Sequence, residues 1–281
     1  MSADQRPLCA LTIAGSDSGG GAGIQADLKT FAAHGVHGLC AIAALTAQHT
    51  RGVVAVHVPP ADFLRVQIDA CFADFRIGAV KIGMLAHAGL IDAVAAAIDR
   101  HQPPFVVLDP VMVATSGARL LDADALDALR RLIPRANLIT PNMPEAAWLL
   151  DKPIANADAA ERALSALHAL GARAVLLKGA HLVEGDDDGD SSGVVTDRFS
   201  DERGTLSLRN PRLPLEGHGS GCTLASAIAA QVVGGASLRD ACAQAVAYVA
   251  GALAHSTRPG LGEARVLAHF WRFADPPAPL P

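Results

Sequence analysis

The chain has 281 residues, a net charge of −5 and 51% apolar residues, of which few are aromatic. Because no basic cluster is present, the charge pattern excludes nucleic acid and anionic membrane surfaces as expected partners. The length allows one large α/β domain, and we find neither a linker nor an internal repeat. We therefore expect a single domain over residues 1–281 with disordered ends at about 1–7 and 275–281.

The five cysteines are scattered and show no Cys-x-x-Cys spacing. This pattern argues against a zinc ribbon and against a disulfide framework. The N-terminal residues contain no apolar core of a signal peptide, and charges and glycines interrupt every apolar stretch. We therefore expect a cytoplasmic protein with reduced thiols and no membrane association.

Short apolar runs alternate with amphipathic segments along the chain. Strands are predicted at residues 8–14, 39–45, 53–58, 79–82, 105–108, 138–140, 174–177, 194–199 and 205–208, with 53–58 as an edge strand. Helices are predicted at about 24–34, 62–75, 90–100, 124–133, 143–150, 157–170, 222–233 and 237–255, with Ser237 and Asp240 as an N-cap pair. The alternation predicts a mostly parallel sheet with helices on both faces.

Two segments interrupt this alternation. Residues 184–193 are acidic and rich in turn formers. They lack the twelve-residue spacing and the closing Glu of a calcium loop, so a solvated loop between two strands is the better interpretation. The proline-rich tail at 276–281 is predicted to be disordered.

A glycine-rich segment at residues 15–23 lies between the first strand and the first helix. This context suits a phosphate or dinucleotide loop. The segment lacks, however, the Gly-Lys-Ser/Thr ending of a P-loop and the spacing of a Gly-x-Gly-x-x-Gly fingerprint. A ligand-binding loop and a flexible turn therefore both remain open.

A second glycine-rich turn at residues 217–221 leads directly into a helix of small apolar residues. The N-terminus of a helix attracts anions, and glycines let the backbone approach a phosphate closely. Cys222 follows at or next to the first helical residue, where the helix is expected to lower the pKa of a thiol. The turn thus offers an anion cradle and a potential base, although an inert cysteine on a buried helix is the alternative.

Polar residues and glycines follow the predicted strands where each strand ends. In an open parallel sheet, ligands bind outside the carboxyl ends of the strands. This rule predicts that one edge of the sheet brings together residues 15–23, Gln48, Met84, Asp109, Asn142, Glu145, Lys178 and residues 219–222. Each of them singly could have a structural role, such as a turn or a helix cap. Together they indicate a binding site.

The chain resembles the hydroxymethylpyrimidine/phosphomethylpyrimidine kinases of thiamine biosynthesis, which are members of the ribokinase-like superfamily. The matching motifs run in family order over residues 8 to about 255. They are residues 11–30, Thr46-Ala-Gln48, Lys81-Ile-Gly-Met84, Leu108-Asp-Pro-Val-Met112, Thr140-Pro-Asn-Met-Pro-Glu145, Leu177-Lys-Gly179 and His218-Gly-Ser-Gly-Cys222.

The resemblance implies a three-layer α/β sandwich and a homodimer. It implies ATP-dependent phosphorylation of 4-amino-5-hydroxymethyl-2-methylpyrimidine and then of its monophosphate, with Mg²⁺. Gln48 matches the glutamine that hydrogen-bonds the pyrimidine. The pocket around the pyrimidine would be lined by Gly15, Gly21, Ala22, Asp27 and Met84.

The resemblance also implies roles at the phosphate end of the site. Cys222 matches the residue proposed as catalytic base, and Gly219, Ser220 and Gly221 would form an anion hole with it. The Asn-x-x-Glu element resembles the superfamily's magnesium-organising motif. Phosphoryl transfer needs positioning and neutralisation of charged oxygens, and four side chains could supply both, with the metal bound through water. They are Asp109, Asn142, Glu145 and Lys178.

Three departures from the family pattern stand out. Thr115 replaces a common Lys, which puts nucleotide affinity in question. Gly217 replaces a common Thr just before the anion hole. The segment at residues 260–265 lacks the Gly-His-Gly-Pro that the family often carries there.

Three other functions compete with this interpretation. A pyridoxal kinase would also phosphorylate a hydroxymethyl group on a flat heterocycle. A non-catalytic pyrimidine sensor would need neither the Asn-x-x-Glu element nor Gly-Ser-Gly-Cys. A dinucleotide-dependent oxidoreductase would want an acidic residue at the end of the second strand, where Thr46-Ala47-Gln48 stands instead.

Overall fold

A nine-stranded sheet forms the centre of the computed structural model, which describes residues 5–113, 117, 120–180 and 193–273. Its strands lie in the order β3-β2-β1-β4-β5-β6-β7-β8-β9. They are β1 (Cys9–Asp17), β2 (His37–His49), β3 (Gly52–His57), β4 (Ile77–Ile82), β5 (Val106–Leu108), β6 (Leu138–Ile139), β7 (Val175–Leu177), β8 (Val194–Asp201) and β9 (Gly204–Pro211). Two short strands, β10 (Gly217–His218) and β11 (Arg265–Val266), pair separately.

Helices cover both faces of this sheet. They are α1 (Gly23–Ala33), α2 (Ala61–Asp74), α3 (Ala88–His101), α4 (Leu126–Leu132), α5 (Met143–Leu150), α6 (Ala157–Ala169), α7 (Ser220–Val233) and α8 (Leu238–Ala254). Short 3₁₀ turns at Ala123–Ala125 and Ile133–Arg135 flank α4.

Successive residues of the strands supply two separate hydrophobic cores. Leu11 of β1 packs in a core with residues of α2 to α6, whereas Ala10 packs in a second core with residues of α1, α7 and α8. This alternation follows from the two-residue period of a strand. The predicted three-layer α/β sandwich is confirmed.

Six neighbouring strands, β1, β2, β4, β5, β6 and β7, run parallel, while β3, β8 and β9 add antiparallel strands at the two sides. The carboxyl ends of the six parallel strands therefore meet at one edge. The predicted edge strand at 53–58 is confirmed as β3. Ser237 caps α8 by accepting the N–H of Asp240, as predicted.

Several strands extend further than the sequence predicted, and two of these extensions, in β1 and β2, reach residues of the predicted site. β1 continues through Gly15 to Asp17, so the glycine-rich segment begins inside the strand. β2 continues to His49 because β3 pairs with it from Leu45 onward. Gln48 thus lies in a paired strand rather than in a loop, which limits the movement of its backbone.

Several predictions fall on residues outside those described. These are the substitution at Thr115, most of the acidic segment 184–193, the proline-rich tail 276–281 and the chain ends at 1–4 and 275–281. Among the described residues, no helix has both the length and the apolar composition needed to span a membrane.

Candidate active site

A cavity of about 640 Å³ opens at the carboxyl ends of the parallel strands. It brings together most of the residues that the sequence placed at this edge. Those that line it are Gly15, Ala22, Gln48, Met84, Asp109, Asn142, Glu145, Lys178, Gly219, Ser220, Gly221 and Cys222. One cavity therefore joins the predicted heterocycle end of the site to its predicted phosphate end.

The N-terminus of α7 points into this cavity. Gly219 is its N-cap, with a left-handed φ of 82°, and a Cβ there would lie 2.0 Å from the carbonyl oxygen of Gly21. Only glycine fits both the conformation and the close approach. A Cβ at Gly221 would lie 3.1 Å from Lys178 Nζ and 3.4 Å from Asp109 Oδ2. The first turn of α7 therefore lies directly against the charged pair formed by Lys178 and Asp109.

Lys178 is the positive centre of that charged cluster. Its Nζ lies 2.8 Å from Asp109 Oδ1 and 3.7 Å from Glu145 Oε2. Burial alone would lower the pKa of Lys178, but the two carboxylates outweigh burial and raise this pKa above its ordinary range. Lys178 is therefore a permanent cation at the end of β7.

Asn142 and Glu145 form a capping box at the start of α5. The Asn142 side chain accepts the N–H of Glu145 at 2.9 Å, and Glu145 Oε2 accepts the N–H of Asn142 at 2.7 Å. This reciprocal pair explains the Asn-x-x-Glu spacing as a local folding signal as well. Burial, with a contribution from Asp109, raises the pKa of Glu145 to about 7 although Lys178 opposes the shift.

One buried oxygen of this cluster lacks a partner. Asp109 Oδ1 accepts from Lys178 and from Thr140, but Asp109 Oδ2 has no hydrogen bond within the described part of the chain. No group of three or more acidic, His or Cys side chains there is arranged to hold a metal alone. Two carboxylates with one free oxygen suit a hard cation that takes its other ligands from water and phosphates, as Mg²⁺ does.

The predicted heterocycle end of the cavity is built on Asp17. Its Oδ1 accepts the N–H of Gly19 at 2.8 Å, and its Oδ2 accepts those of Gly21 at 2.9 Å and Ala22 at 2.8 Å. Three backbone donors of the glycine-rich loop are therefore satisfied by an internal carboxylate and are not available to a phosphate.

His218 joins the same network from the far side. Its Nε2 lies 2.9 Å from Asp17 Oδ2 and 3.2 Å from the Gln48 amide. Burial would raise the pKa of Asp17, but hydrogen bonds from His218 and the loop N–H groups hold it below its usual value. Asp17 is thus an anion that ties β1 to the residue before the α7 turn.

Comparison with known proteins shows the family to which the chain belongs. The sequence model of the phosphomethylpyrimidine kinase family matches residues 17–266. A hydroxymethylpyrimidine/phosphomethylpyrimidine kinase of Rhizobium meliloti is 46% identical over 269 residues, covering 94% of this chain and 97% of that protein. The chain belongs to this family. A thiamine biosynthesis bifunctional protein of Geobacter sulfurreducens is also 46% identical, over 91% of the chain, which spans only 51% of that longer relative.

Solved structures with this fold include a phosphomethylpyrimidine kinase and a pyridoxal kinase. A phosphomethylpyrimidine kinase from Clostridium difficile has a TM-score of 0.75 at 38% identity, covering 86% of this chain and 97% of that one. A Bacillus subtilis pyridoxal kinase in complex with ADP has a TM-score of 0.85 at 31% identity, covering 95% and 100%. The fold is thus ribokinase-like, and the chain is a kinase, whose family implies the use of ATP.

Within this kinase, the expected low pKa of Cys222 is wrong. Burial raises the pKa of the thiol to about 11, and the nearby Asp27 and Asp109 add to the shift although Lys81 opposes it. The helix also begins at Ser220, so that Cys222 is its third residue rather than its first or second. Loss of hydration beside two carboxylates therefore outweighs the helix dipole and the lysine, and the resting thiol is protonated.

Two predicted substrate-binding residues do not line the cavity. Asp27 is fully buried and accepts hydrogen bonds from Lys81 at 2.9 Å, Thr12 at 2.6 Å and Ser226 at 2.7 Å. Gly21 lies against His218, whose Cδ2 would be 2.5 Å from a Cβ at that position. Their contact with substrate stays a prediction.

Sequence reasoning overlooked Asp17 and His218 as site residues. A signal for Asp17 was present, because an Asp followed by glycines commonly accepts N–H groups of its own turn. No local signal marks His218, because its partner lies about 200 positions earlier in the chain.

Gly217 stands where the family pattern commonly has Thr. The side chains of Leu253 and Leu267 approach its Cβ position to 2.8 and 3.1 Å, which leaves little room for a larger residue.

Proposed function

We propose that the chain transfers the γ-phosphoryl group of ATP to the hydroxymethyl oxygen of 4-amino-5-hydroxymethyl-2-methylpyrimidine, and then phosphorylates the monophosphate to the diphosphate. The observation that carries this proposal is a single cavity with Gln48 and Met84 at one end and the N-terminus of α7, Lys178 and Asp109 at the other. A flat heterocycle fits the first end, while the second suits phosphates.

In the first step, a bond forms between the hydroxymethyl oxygen and the γ-phosphorus while the bond to the bridging oxygen of ADP breaks. The N–H groups at Gly219, Ser220 and Gly221 stabilise the phosphoryl oxygens, and Lys178 neutralises negative charge beside them. We assign Cys222 as the base that accepts the hydroxyl proton. It acts through its thiolate, which is less populated than the thiol. The second acceptor is already an ionised phosphate and needs no such base.

We further propose that Mg²⁺ is held at Asp109 and Glu145 through water, with Asn142 orienting Glu145. The partnerless Asp109 Oδ2 supports this assignment, since a buried carboxylate oxygen without a donor is suited to a cation. A bound Mg²⁺ would neutralise charge on the phosphates and help to align them. The protein's own contribution is to hold the two carboxylates in fixed positions beside Lys178.

The decisive experiment measures ATP consumption with Mg²⁺ against three acceptors side by side: the hydroxymethylpyrimidine, its monophosphate and pyridoxal. Turnover of both pyrimidines with little on pyridoxal is the expected result. Turnover of pyridoxal alone would move the enzyme to vitamin B6 salvage, an outcome that the similarity to the Bacillus pyridoxal kinase makes worth testing. Tight pyrimidine binding without any turnover would favour a sensor.

We also propose that the protein acts in the cytoplasm as a homodimer on small-molecule substrates. Five free thiols fit a reducing compartment. Val54 on the edge strand β3 and Phe63 on α2 are exposed apolar side chains that a second copy could cover. Light scattering of the purified protein tests the dimer, and a monomer at micromolar concentration would contradict it.

A further inference from the structure

The side-chain amide of Gln48, which lines the cavity, can take two orientations. A glutamine amide offers one acceptor and one donor side by side, and turning it by 180° exchanges them. At the heterocycle end of the cavity, that order decides which ring edge can bind. The neighbours of Gln48 therefore matter as much as Gln48 itself.

The first neighbour is His218. Asp17 Oδ2 lies 2.9 Å from His218 Nε2, and its carboxylate can only accept, so this nitrogen must carry the proton. The structure places Gln48 Nε2 3.2 Å from the same nitrogen, but an N–H does not hydrogen-bond an NH₂ donor, so the amide has to be turned by 180° to bring its oxygen there. His218 therefore requires the amide oxygen of Gln48 on its side.

The second neighbour, Thr46, leads to the same orientation independently. Its hydroxyl donates to the carbonyl oxygen of Ser16 at 2.8 Å, which uses its only proton. The structure places Gln48 Oε1 3.2 Å from Thr46 Oγ1, but a hydroxyl whose proton lies on Ser16 can only accept here, so the turned amide with its NH₂ on this side is again required. Both contacts assign the carbonyl of Gln48 to the His218 side and the NH₂ to the Thr46 side, which is an assignment from hydrogen-bond logic.

We propose that His218, by donating from Nε2 to Asp17 and to the Gln48 carbonyl, fixes the order of acceptor and donor that the site presents to its substrate. His218 is thus a positioning residue for specificity, and this inference rests on the proposed binding of the pyrimidine by Gln48. A 4-aminopyrimidine presents an exocyclic NH₂ donor next to a ring-nitrogen acceptor. A 4-oxopyrimidine presents the opposite order, so a fixed amide must reject it.

The position of His218 also links the orientation of the Gln48 amide to the proposed anion hole. The histidine directly precedes Gly219, the N-cap of α7, and its backbone is held by the β10–β11 pair. The same ring contacts Asp17, which organises the glycine-rich loop against that N-cap. Ring selection and the anion hole are therefore built on adjacent residues of one segment.

The test compares kcat/KM for the 4-amino substrate with kcat/KM for its 4-oxo analogue, 5-hydroxymethyl-2-methylpyrimidin-4-one. Wild type should favour the amino compound strongly. His218→Met removes the donor and should reduce this ratio at least about tenfold, because the amide is then free to turn. His218→Gln places an N–H near the same point and should keep the ratio within about threefold of wild type.

An unchanged ratio in His218→Met would overturn the proposal, and so would equal losses in His218→Met and His218→Gln, which would indicate a purely structural role. If His218→Met does not fold by circular dichroism, Thr46→Val removes the acceptor on the other side and should lower the same ratio. An unchanged ratio in that folded variant would equally count against the assignment. Failure of wild type to phosphorylate the amino compound would instead refute the proposed function.

Discussion

Two buried aspartates mark the two ends of the cavity, and they differ in how completely they are paired. Asp17 is 2% exposed and Asp109 is 1% exposed. Both oxygens of Asp17 accept hydrogen bonds from the glycine-rich loop and from His218. Asp109 has one oxygen on Lys178 and Thr140, while the other has no partner among the described residues.

At the heterocycle end both oxygens of the buried carboxylate are therefore hydrogen-bonded within the protein, whereas at the phosphate end only one of them has a partner in the part of the chain that the structure describes. The heterocycle end is complete without ligand, so it can select a ring by a fixed pattern of donors and acceptors. The phosphate end holds a charged group that only a ligand completes. Changes to the charged groups of the phosphate end, Lys178, Asp109 and Glu145, should therefore affect both phosphorylation steps, whereas changes at the heterocycle end should act on the choice and affinity of the ring.

The largest effect is expected from Lys178→Met. This variant leaves Asp109 and Glu145 as neighbouring carboxylates without a cation and removes the positive charge opposite α7. We expect kcat/KM to fall by roughly a thousandfold for both acceptors, which is the usual scale for losing one group that stabilises transition-state charge. Steady-state kinetics on both substrates measure it.

Lys152→Met is the matched control, since Lys152 is exposed just beyond the end of α5. It should retain wild-type kinetics within about twofold, as surface substitutions usually do. A loss confined to one acceptor in Lys178→Met would contradict the view that the phosphate end serves both steps alike.

Cys222→Ala should separate the two steps. A base is needed only when the acceptor is a hydroxyl, so the first phosphorylation should slow by about a hundredfold and the second by less than about threefold. Because the pKa of the thiol is about 11, the first step in wild type should also become faster as pH rises from 7 to 9, and the variant should lose this rise. Equal losses in both steps would remove Cys222 from the role of base. Cys40→Ala, in β2 outside the cavity lining, is the control.

Glu145→Gln tests the phosphate end of the cavity through the dependence of activity on Mg²⁺. The pKa of Glu145 is about 7, so its carboxyl is protonated below that pH and binds a cation less well. The Mg²⁺ concentration for half-maximal activity should fall in wild type as pH rises from 6 to 8. In the variant it should be about tenfold higher at pH 8 and should change little with pH.

Glutamine can keep the capping box with Asn142, so α5 should remain folded and the thermal midpoint should barely change. Glu202→Gln, an exposed acid between β8 and β9, should behave as wild type. If Glu145→Gln showed the wild-type pH dependence, the water-mediated metal assignment of Glu145 would fail.

The same contrast explains what the sequence could predict. Asp109, Asn142 and Lys178 each follow a strand, and the rule for parallel sheets was enough to place them together. Helix α5 was predicted with its correct bounds, and the structure shows that Asn142 and Glu145 form a local capping box at its start. These features depend on short-range patterns.

Other features depend on contacts between distant parts of the chain. The pairing of β3 decided that β2 reaches Gln48, and the raised pKa of Cys222 comes from burial beside Asp27 and Asp109. A sequence pattern shows the helix N-terminus, but it does not show how far water is excluded from it. The expectation of a thiolate failed for that reason.

Gly15→Ala should give the smallest effect and sharpen the comparison at the heterocycle end. A Cβ at Gly15 would lie 2.9 Å from Met84 Sδ, the movable end of a flexible side chain, so Met84 has to shift within the cavity. We expect KM for the pyrimidine to rise about three- to tenfold, while kcat and KM for ATP stay within about twofold. The double variant Gly15→Ala/Met84→Ala should recover part of the affinity because the crowding atom is gone. A double variant no better than Gly15→Ala, or a matching loss in KM for ATP, would show that the two ends are not independent.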